Sequence, residues 1–243
     1  MKKIKRRLYL LLRSILTKSK EIFSPHGLPI YIPASSDLAI RYHLARGRPY
    51  EEPEANMVKL YLRPDTNVIE LGGCLGVISA LIRNQIGPRA MHVIVEANPD
   101  LAAICEVNAK QNGEVGTTEV VVAAIDYSGA ANVTFAAGDN AHVGHVSHQN
   151  EVGLTTPTIT LSNLAQKIPE GPFALVCDIE GAEAKLFEAE KNILSRLSLL
   201  ILETHLDIYS DGEATKNEII KQIKGAGLEE IARSKGVICF RPI

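Results

Sequence analysis

From residue 67 onward, short apolar runs alternate with stretches whose apolar residues recur every three to four positions. "NVIEL" (67–71), "MHVIVEA" (91–97), "TEVVVAAI" (118–125), "PFALVCDI" (172–179) and "LSLLILETH" (197–205) are rich in Val, Ile and Leu and short, so they read as strands. Between and after them, "GVISALIRNQI" (76–86), "DLAAICEVNAKQNG" (100–113), "LSNLAQKI" (161–168), "GAEAKLFEAEKNIL" (181–194) and "EATKNEIIKQIKGAG" (213–227) carry the helical period, and the last stops at glycine. "LEEIARSKGVICFRP" reads as a hairpin turning at Lys235-Gly236. Strands that are apolar throughout, separated by helices, predict an α/β fold with a mostly parallel sheet covered on both faces.

Ahead of this rhythm, "PIYIP" (29–33) predicts a short edge strand or hairpin, because prolines fence it. "SSDLAIRYHLARG" (35–47) predicts a helix capped by Ser35 or Ser36. "EEPEANMVKLYLR" (51–63) predicts another, with acids in its first turn and Met57, Leu60 and Leu62 as its apolar positions. The less regular stretch 126–160 contains two further strand-like pieces, "NVTFAA" and "TPTITL". No repeat or linker interrupts the chain, so one domain over 50–243 follows an extension over 1–49.

Charge changes the picture at the start of the chain. Eight of the 26 Lys and Arg fall in residues 1–20, which hold no acid; this leaves 18 against 28 acids, a balance of −10 for the body. Two readings of "MKKIKRRLYLLLRSILTKSK" follow. The simpler is a basic helix docked on the acidic body through Leu8, Leu11, Leu12 and Ile15; the other is a helix lying peripherally on an anionic membrane surface. Arg13 interrupts the apolar stretch, which argues against a secretory signal.

With 46% apolar and 22% charged residues, the composition is that of an ordinary globular protein. Cys74, Cys105, Cys177 and Cys239 are scattered in apolar contexts, as expected of reduced thiols in the cytoplasm. An acidic body, 5% aromatics and no Trp argue against nucleic acid as a partner.

In parallel sheets, ligands bind beyond the carboxyl ends of the strands. The first such end is "VIELGGCLGVIS", where Gly72, Gly73 and Gly76 permit close backbone approach. A nicotinamide fingerprint aligned on Gly73 and Gly76 would need its first glycine at Leu71, and no Lys-Ser or Lys-Thr follows Gly76 as a phosphate loop requires. What remains is Glu70 at the strand end and Glu96 at the end of the next strand. Glu96 can accept from both hydroxyls of a ribose, and a carboxylate at Glu70 suits a cationic ligand better than a pyrophosphate. S-adenosylmethionine, a sulfonium nucleoside, fits this pair; helix capping is the plainer alternative.

Three further acids crowd "CDIEGAE" (177–183). Asp178 and Glu180 are two apart and share a face on extended chain, while Glu183 falls in the first turn of a helix and complements its dipole. The next strand ends "LETH", so Asp178, Glu203 and His205 can converge from adjacent strands. Such a cluster can deprotonate an acceptor hydroxyl, with His205 as base. Alternatively, Asp178 and Glu203 can hold Mg²⁺. His142, His145 and His148 recur every third position, which fits neither a strand face nor a helical zinc pair, and in a loop they can line an acceptor pocket.

Taken together, "RPYEEPEANMVKLYLRPDTNVIELGGCLGVISALI", "HVIVEANPDL", "DIEGAE" and "LILETH" resemble the FkbM family of S-adenosylmethionine-dependent methyltransferases, from about residue 47 to the C-terminus. The resemblance implies a class I methyltransferase fold, with a seven-stranded, mostly parallel sheet ending in an antiparallel hairpin. It implies methyl transfer to a hydroxyl oxygen of a sugar, glycan or natural product. By position it places Glu70, Gly72 and Gly76 at the methionine part of the cofactor, Glu96 at the ribose and Ala124–Ile125 at the adenine. Asp178, Glu180 and His205 fall on the acceptor side. Cys74 stands where the family often has Asn, and Val176 where a Lys often precedes the Asp by two. The second departure removes a positive charge beside Asp178. The competing readings are a nucleotide-cofactor oxidoreductase, which the missing first glycine disfavours, and a non-catalytic S-adenosylmethionine-binding module.

Overall fold

The computed structural model describes residues 2–111, 113–137, 144–147 and 153–243, with the backbone alone for 135–137 and 144–147. Its centre is a seven-stranded sheet of β3 (Val68–Leu71), β4 (His92–Glu96), β5 (Thr118–Val122), β10 (Phe173–Cys177), β11 (Leu197–Glu203), β12 (Leu228–Ser234) and β13 (Val237–Pro242). The spatial order is β12-β13-β11-β10-β3-β4-β5. The pairs β11–β10, β10–β3, β3–β4 and β4–β5 are parallel, and β13 runs antiparallel to both neighbours. This is the class I methyltransferase topology that the resemblance implies.

The layers follow from side-chain alternation along each strand. Ile69, Leu71, Val93, Val95, Leu175, Cys177, Leu200 and Leu202 face one side. There they pack on Leu161 and Leu164 of α6 (Leu161–Leu164), Leu186 and Phe187 of α7 (Glu183–Ala189), Leu194 of α8 (Lys191–Leu194), and Ile219 and Ile223 of α9 (Gly212–Gly225). Val68, Ala174, Val176, Leu199 and Ile201 face the other side, against Ala55, Met57 and Val58 of α3 (Glu52–Tyr61) and Ile78, Leu81 and Ile82 of α4 (Val77–Ile86). Leu60 of α3, an expected apolar contact, is 72% exposed, because residue 60 lies on the opposite side of the helix from Ala55 and Val58.

Several boundaries differ from the sequence expectation. The run 118–125 divides: after β5 the chain leaves the main sheet, and β6 (Ala124–Ile125) pairs with β9 (Leu154–Ile159). A second sheet of order β6-β9-β7-β8 results, with β7 (Asn132–Ala137) and β8 (Gly144–Ser147). α2 (Leu38–Ala45) is capped by Asp37, whose carboxylate accepts from Ala39 N at 2.7 Å and Ile40 N at 3.0 Å, rather than by Ser35 or Ser36. β2 (Ile30–Tyr31) pairs with β1 (Ile22–Phe23) as the expected hairpin.

α1 (Lys2–Thr17) docks on α2, but not through Leu8, Leu11, Leu12 and Ile15. Tyr9 meets Tyr42 edge-on with centroids 5.4 Å apart, Arg6 lies over the Tyr42 ring, and Arg13 donates to the Ile22 carbonyl at 2.8 Å. Leu8, Leu11, Leu12 and Ile15 are all more than half exposed. Their expected burial against the body is therefore corrected: the aromatic and basic side of α1 makes the contact and the aliphatic side faces outward. Among the described residues no helix is long and apolar enough to cross a membrane.

Candidate active site

The strand order reverses between β3 and β10, and the carboxyl ends of these two strands form the floor of the site. Asp178 N donates to Leu71 O at 2.9 Å, while Gly72 N and Gly73 N both donate to Val95 O, at 2.9 and 3.0 Å. Gly72 has φ +94°, and a Cβ there would stand 1.8 Å from the carbonyl oxygen of Asp178. Gly73 and Gly76 are required by α5 (Pro99–Ala109): their Cβ atoms would come within 2.8 Å of Cys105. All three glycines thus let the turn press between the end of β10 and α5, and Gly76 leads directly into α4.

Both oxygens of Glu96 are engaged by that turn and by the next helix start. Oε2 accepts from Cys74 N at 2.7 Å and Oε1 from Asn98 N at 2.8 Å. Burial raises its pKa, and the bonds from Asn98 and Cys74 oppose the rise. A carboxylate has about four acceptor positions, and the backbone N–H groups around Glu96 leave part of them open. Ala123 N donates to Glu96 O at 3.2 Å, which sets Ala124 and Ile125 beside it; both side chains are buried.

Glu70 lies one step inside the strand, on the face that meets α4. Its Oε1 accepts from Ser79 Oγ at 2.8 Å and its Oε2 lies 2.8 Å from His92 Nε2, all three side chains being buried. Register explains the contact: His92 precedes Ile94, the partner of Glu70, by two residues and so shares its face.

Beyond β10 and β11, carboxylates gather around one histidine. His205 Nε2 lies 3.0 Å from Asp178 Oδ1 and 3.6 Å from Glu180 Oε2, and Nδ1 lies 3.0 Å from Glu183 Oε1. Asp178 and Glu180 thus meet the same nitrogen, Glu180 from a turn with φ 50° and not from extended chain. Glu183 does more than settle a helix start: fully buried, it accepts from Ile179 N and Gly181 N as well as holding His205. Burial works against the imidazolium, but hydrogen bonds and charge from Asp178 and Glu183 outweigh it and lift His205 to about 11. At neutral pH this histidine carries its proton and cannot receive another. Glu180 is pushed up to about 7 by burial, with Asp178 and Glu183 adding to the rise and His205 opposing it.

A second group shares Asp178. Ligand oxygens of Glu54, Asp178 and Glu203 lie within 4.8 Å of one another, brought from α3, β10 and β11. Glu54 is 4% exposed and no described residue donates a hydrogen bond to it. Burial, then Asp178 and other nearby acids, raise its pKa well above the usual range. Burial followed by Asp178 also raises Glu203, and Glu51, with φ 48° just before α3, is pushed up to about 8 by the same pair of causes. Glu51 and Glu54 did not stand out from the sequence. The available signal was spacing: Glu54 shares a helical face with Met57, Val58 and Tyr61, so an acid sat among positions destined for burial.

Of the three spaced histidines, His145 lies on β8 opposite Ala136, and His142 and His148 fall outside the described residues. A cleft of about 1050 Å³ opens at the other end of the sheet, lined in part by Asp65, Asn67, Arg196 and Arg241, away from every group above.

The sequence profile described as the Methyltransferase FkbM domain matches residues 71–229. Among solved structures, a TehB-like SAM-dependent methyltransferase from Corynebacterium glutamicum has TM-score 0.47 and 12% identity, over 84% of this chain and 95% of that one. A methyltransferase from Pyrococcus furiosus has TM-score 0.45 and 14% identity, over 98% and 99%. Aeropyrum pernix fibrillarin with natively bound S-adenosyl-L-methionine has TM-score 0.44 and 13% identity, over 78% and 73%. No curated protein matches the chain.

Proposed function

The chain belongs to the FkbM methyltransferase family, and on that premise we propose that it transfers a methyl group from S-adenosylmethionine to a hydroxyl oxygen of a sugar, glycan or small natural product. The observation that carries the reading is the convergence of acidic groups on Asp178 at the strand-order switch, directly beside the glycine turn. The donor set suits a cation: Glu96 has acceptor positions left for a ribose, and the surrounding carboxylates favour positive charge. Bound there, S-adenosylmethionine supplies a methyl group activated on a sulfonium sulfur, for in-line displacement by the acceptor oxygen.

The residues of this chain then have two tasks. The first is positioning, worth roughly 7–11 kcal/mol when reacting groups are held in near-attack geometry. The turn, fixed by Glu96 and by the contact of Gly72 with Asp178, does this on the cofactor side. The second is removal of the acceptor proton, worth about 10²–10⁴-fold. His205 was the expected base, but its raised pKa makes it a positioning residue, holding Asp178 and Glu180 through one nitrogen. We assign proton acceptance to Asp178, with Glu203 beside it.

Mg²⁺, where required, would be held by Glu54, Asp178 and Glu203. The buried and unbonded Glu54 fits that demand, and the ion would polarise the hydroxyl and neutralise the crowded charge. The glycan or small-molecule acceptor, the exclusion of nucleic acid and a cytoplasmic setting rest on composition and on the family. Methyl incorporation from labelled S-adenosylmethionine, screened over glycans and small alcohols with and without EDTA, tests the reading. Incorporation into a base-stable ether supports it; failure with every hydroxyl acceptor despite cofactor binding favours the non-catalytic binding module.

A further inference from the structure

The outward side of α1 is built for an environment other than water. Ile4, Leu8, Leu11, Leu12, Ile15 and Leu16 are 53% to 84% exposed. At 100° per residue the six fall within an arc of about 140°. Single exposed aliphatics are ordinary on a protein surface; six within one arc, which among the described residues of α1 admits only Lys5 besides them, are not.

The helix is held so that this stripe cannot turn inward. Tyr9 and Arg6 engage Tyr42, Arg13 lies 4.4 Å over the Phe23 ring and bonds the Ile22 carbonyl, and Leu10 joins the cluster around Phe23, Ile30 and Leu75. These docking residues lie at about 180–280° on the same wheel, beside the stripe. The charges of the helix are all cationic: Lys2, Lys3, Lys5 and Arg7 form no ion pair among the described residues, and Lys18 and Lys20 follow just beyond its end. No acid occurs in α1.

We infer that α1 is an in-plane membrane helix, its aliphatic stripe set among the acyl chains and its lysines and arginines on anionic lipid headgroups. Charge complementarity selects this occupant. A bare apolar stripe would suit a second copy or a protein groove equally, whereas a cationic rim around an aliphatic stripe matches a negative bilayer surface. Sixteen residues make a helix about 24 Å long, too short to span roughly 30 Å of hydrocarbon, so it lies along the surface. The body's balance of −10 limits contact to the helix and turns the acidic surface away.

The test is co-sedimentation of the full chain with vesicles of pure phosphatidylcholine and of phosphatidylcholine containing 30% phosphatidylglycerol. The expected result is roughly tenfold or more tighter binding to the anionic vesicles, weakened in 0.5 M salt. The double variant Leu8→Glu/Leu12→Glu should lose that binding while its melting temperature and its S-adenosylmethionine affinity stay as in the parent, since neither side chain supports the body. Three outcomes overturn the inference: no binding to either vesicle, equal binding to both, or unchanged binding by the double variant. Sedimentation showing a dimer that the variant dissociates, without vesicle binding by the parent, would assign the stripe to a second copy instead. The vesicle-binding, melting and sedimentation readouts do not depend on the methyl-transfer reading.

Discussion

A side-chain carbon on Gly72 would stand 1.8 Å from the carbonyl oxygen of Asp178, so the glycine turn and the acidic cluster are separated by nothing but the missing Cβ. The two halves of the site are therefore one mechanical unit. Gly72→Ala should cost about 2–4 kcal/mol from overpacking and from its positive φ. Gly87→Ala, also at positive φ but with open space around it, should cost only about 1–2 kcal/mol. Thermal melts of the two variants measure the difference, and cofactor titration should show loss only in the first.

His205 predicts a pH signature. Its folded pKa, about 11, stands above the ordinary 6.5, so its contribution to stability is complete below pH 6.5 and is lost as pH rises towards 11. The melting temperature should fall across pH 7 to 10, and His205→Gln should make that fall shallower. An unchanged slope in the variant would show that the histidine is not held protonated.

Glu54 predicts the opposite sign on substitution. A buried carboxylate with a raised pKa costs stability only once it is forced to ionise, so the cost grows as pH rises above its unfolded value. Glu54→Gln should leave stability near pH 5 unchanged and increase it near pH 9. It should also weaken any Mg²⁺ binding measured by calorimetry.

Glu70 is held by Ser79 and His92, so Glu70→Ala leaves both partners without it. A loss of roughly 1–3 kcal/mol per orphaned group is expected in denaturant unfolding. If Glu70 acts chiefly through these contacts, Glu70→Gln should lower stability more than it lowers cofactor affinity in the folded protein.

Much of this architecture was legible in the sequence because local patterns and the fold agree. Continuous Val/Ile/Leu runs gave the central strands, and Gly72 to Gly76, Glu96, Asp178 and His205 all lie at the strand ends where the alternation placed them. The parts that escaped depend on distant partners. The approach of Asp178 to His205 was expected from the strand ends, but nothing local to "LETH" reveals that Glu180 and Glu183 would join it around the same imidazole. Nothing in "LYLLLRSIL" reveals that Tyr9 and Arg13 would take the docking side and leave Leu8 and Leu12 outside. The break after Val122 depends on pairing with β9, more than thirty residues away.

The most direct measurement is made on Asp178→Asn, with labelled methyl transfer and cofactor calorimetry run on the same preparation. The account predicts that S-adenosylmethionine binds within about threefold of the parent while methyl transfer to the hydroxyl acceptor falls by about 10²-fold or more. Methyl transfer at the parental rate would contradict it.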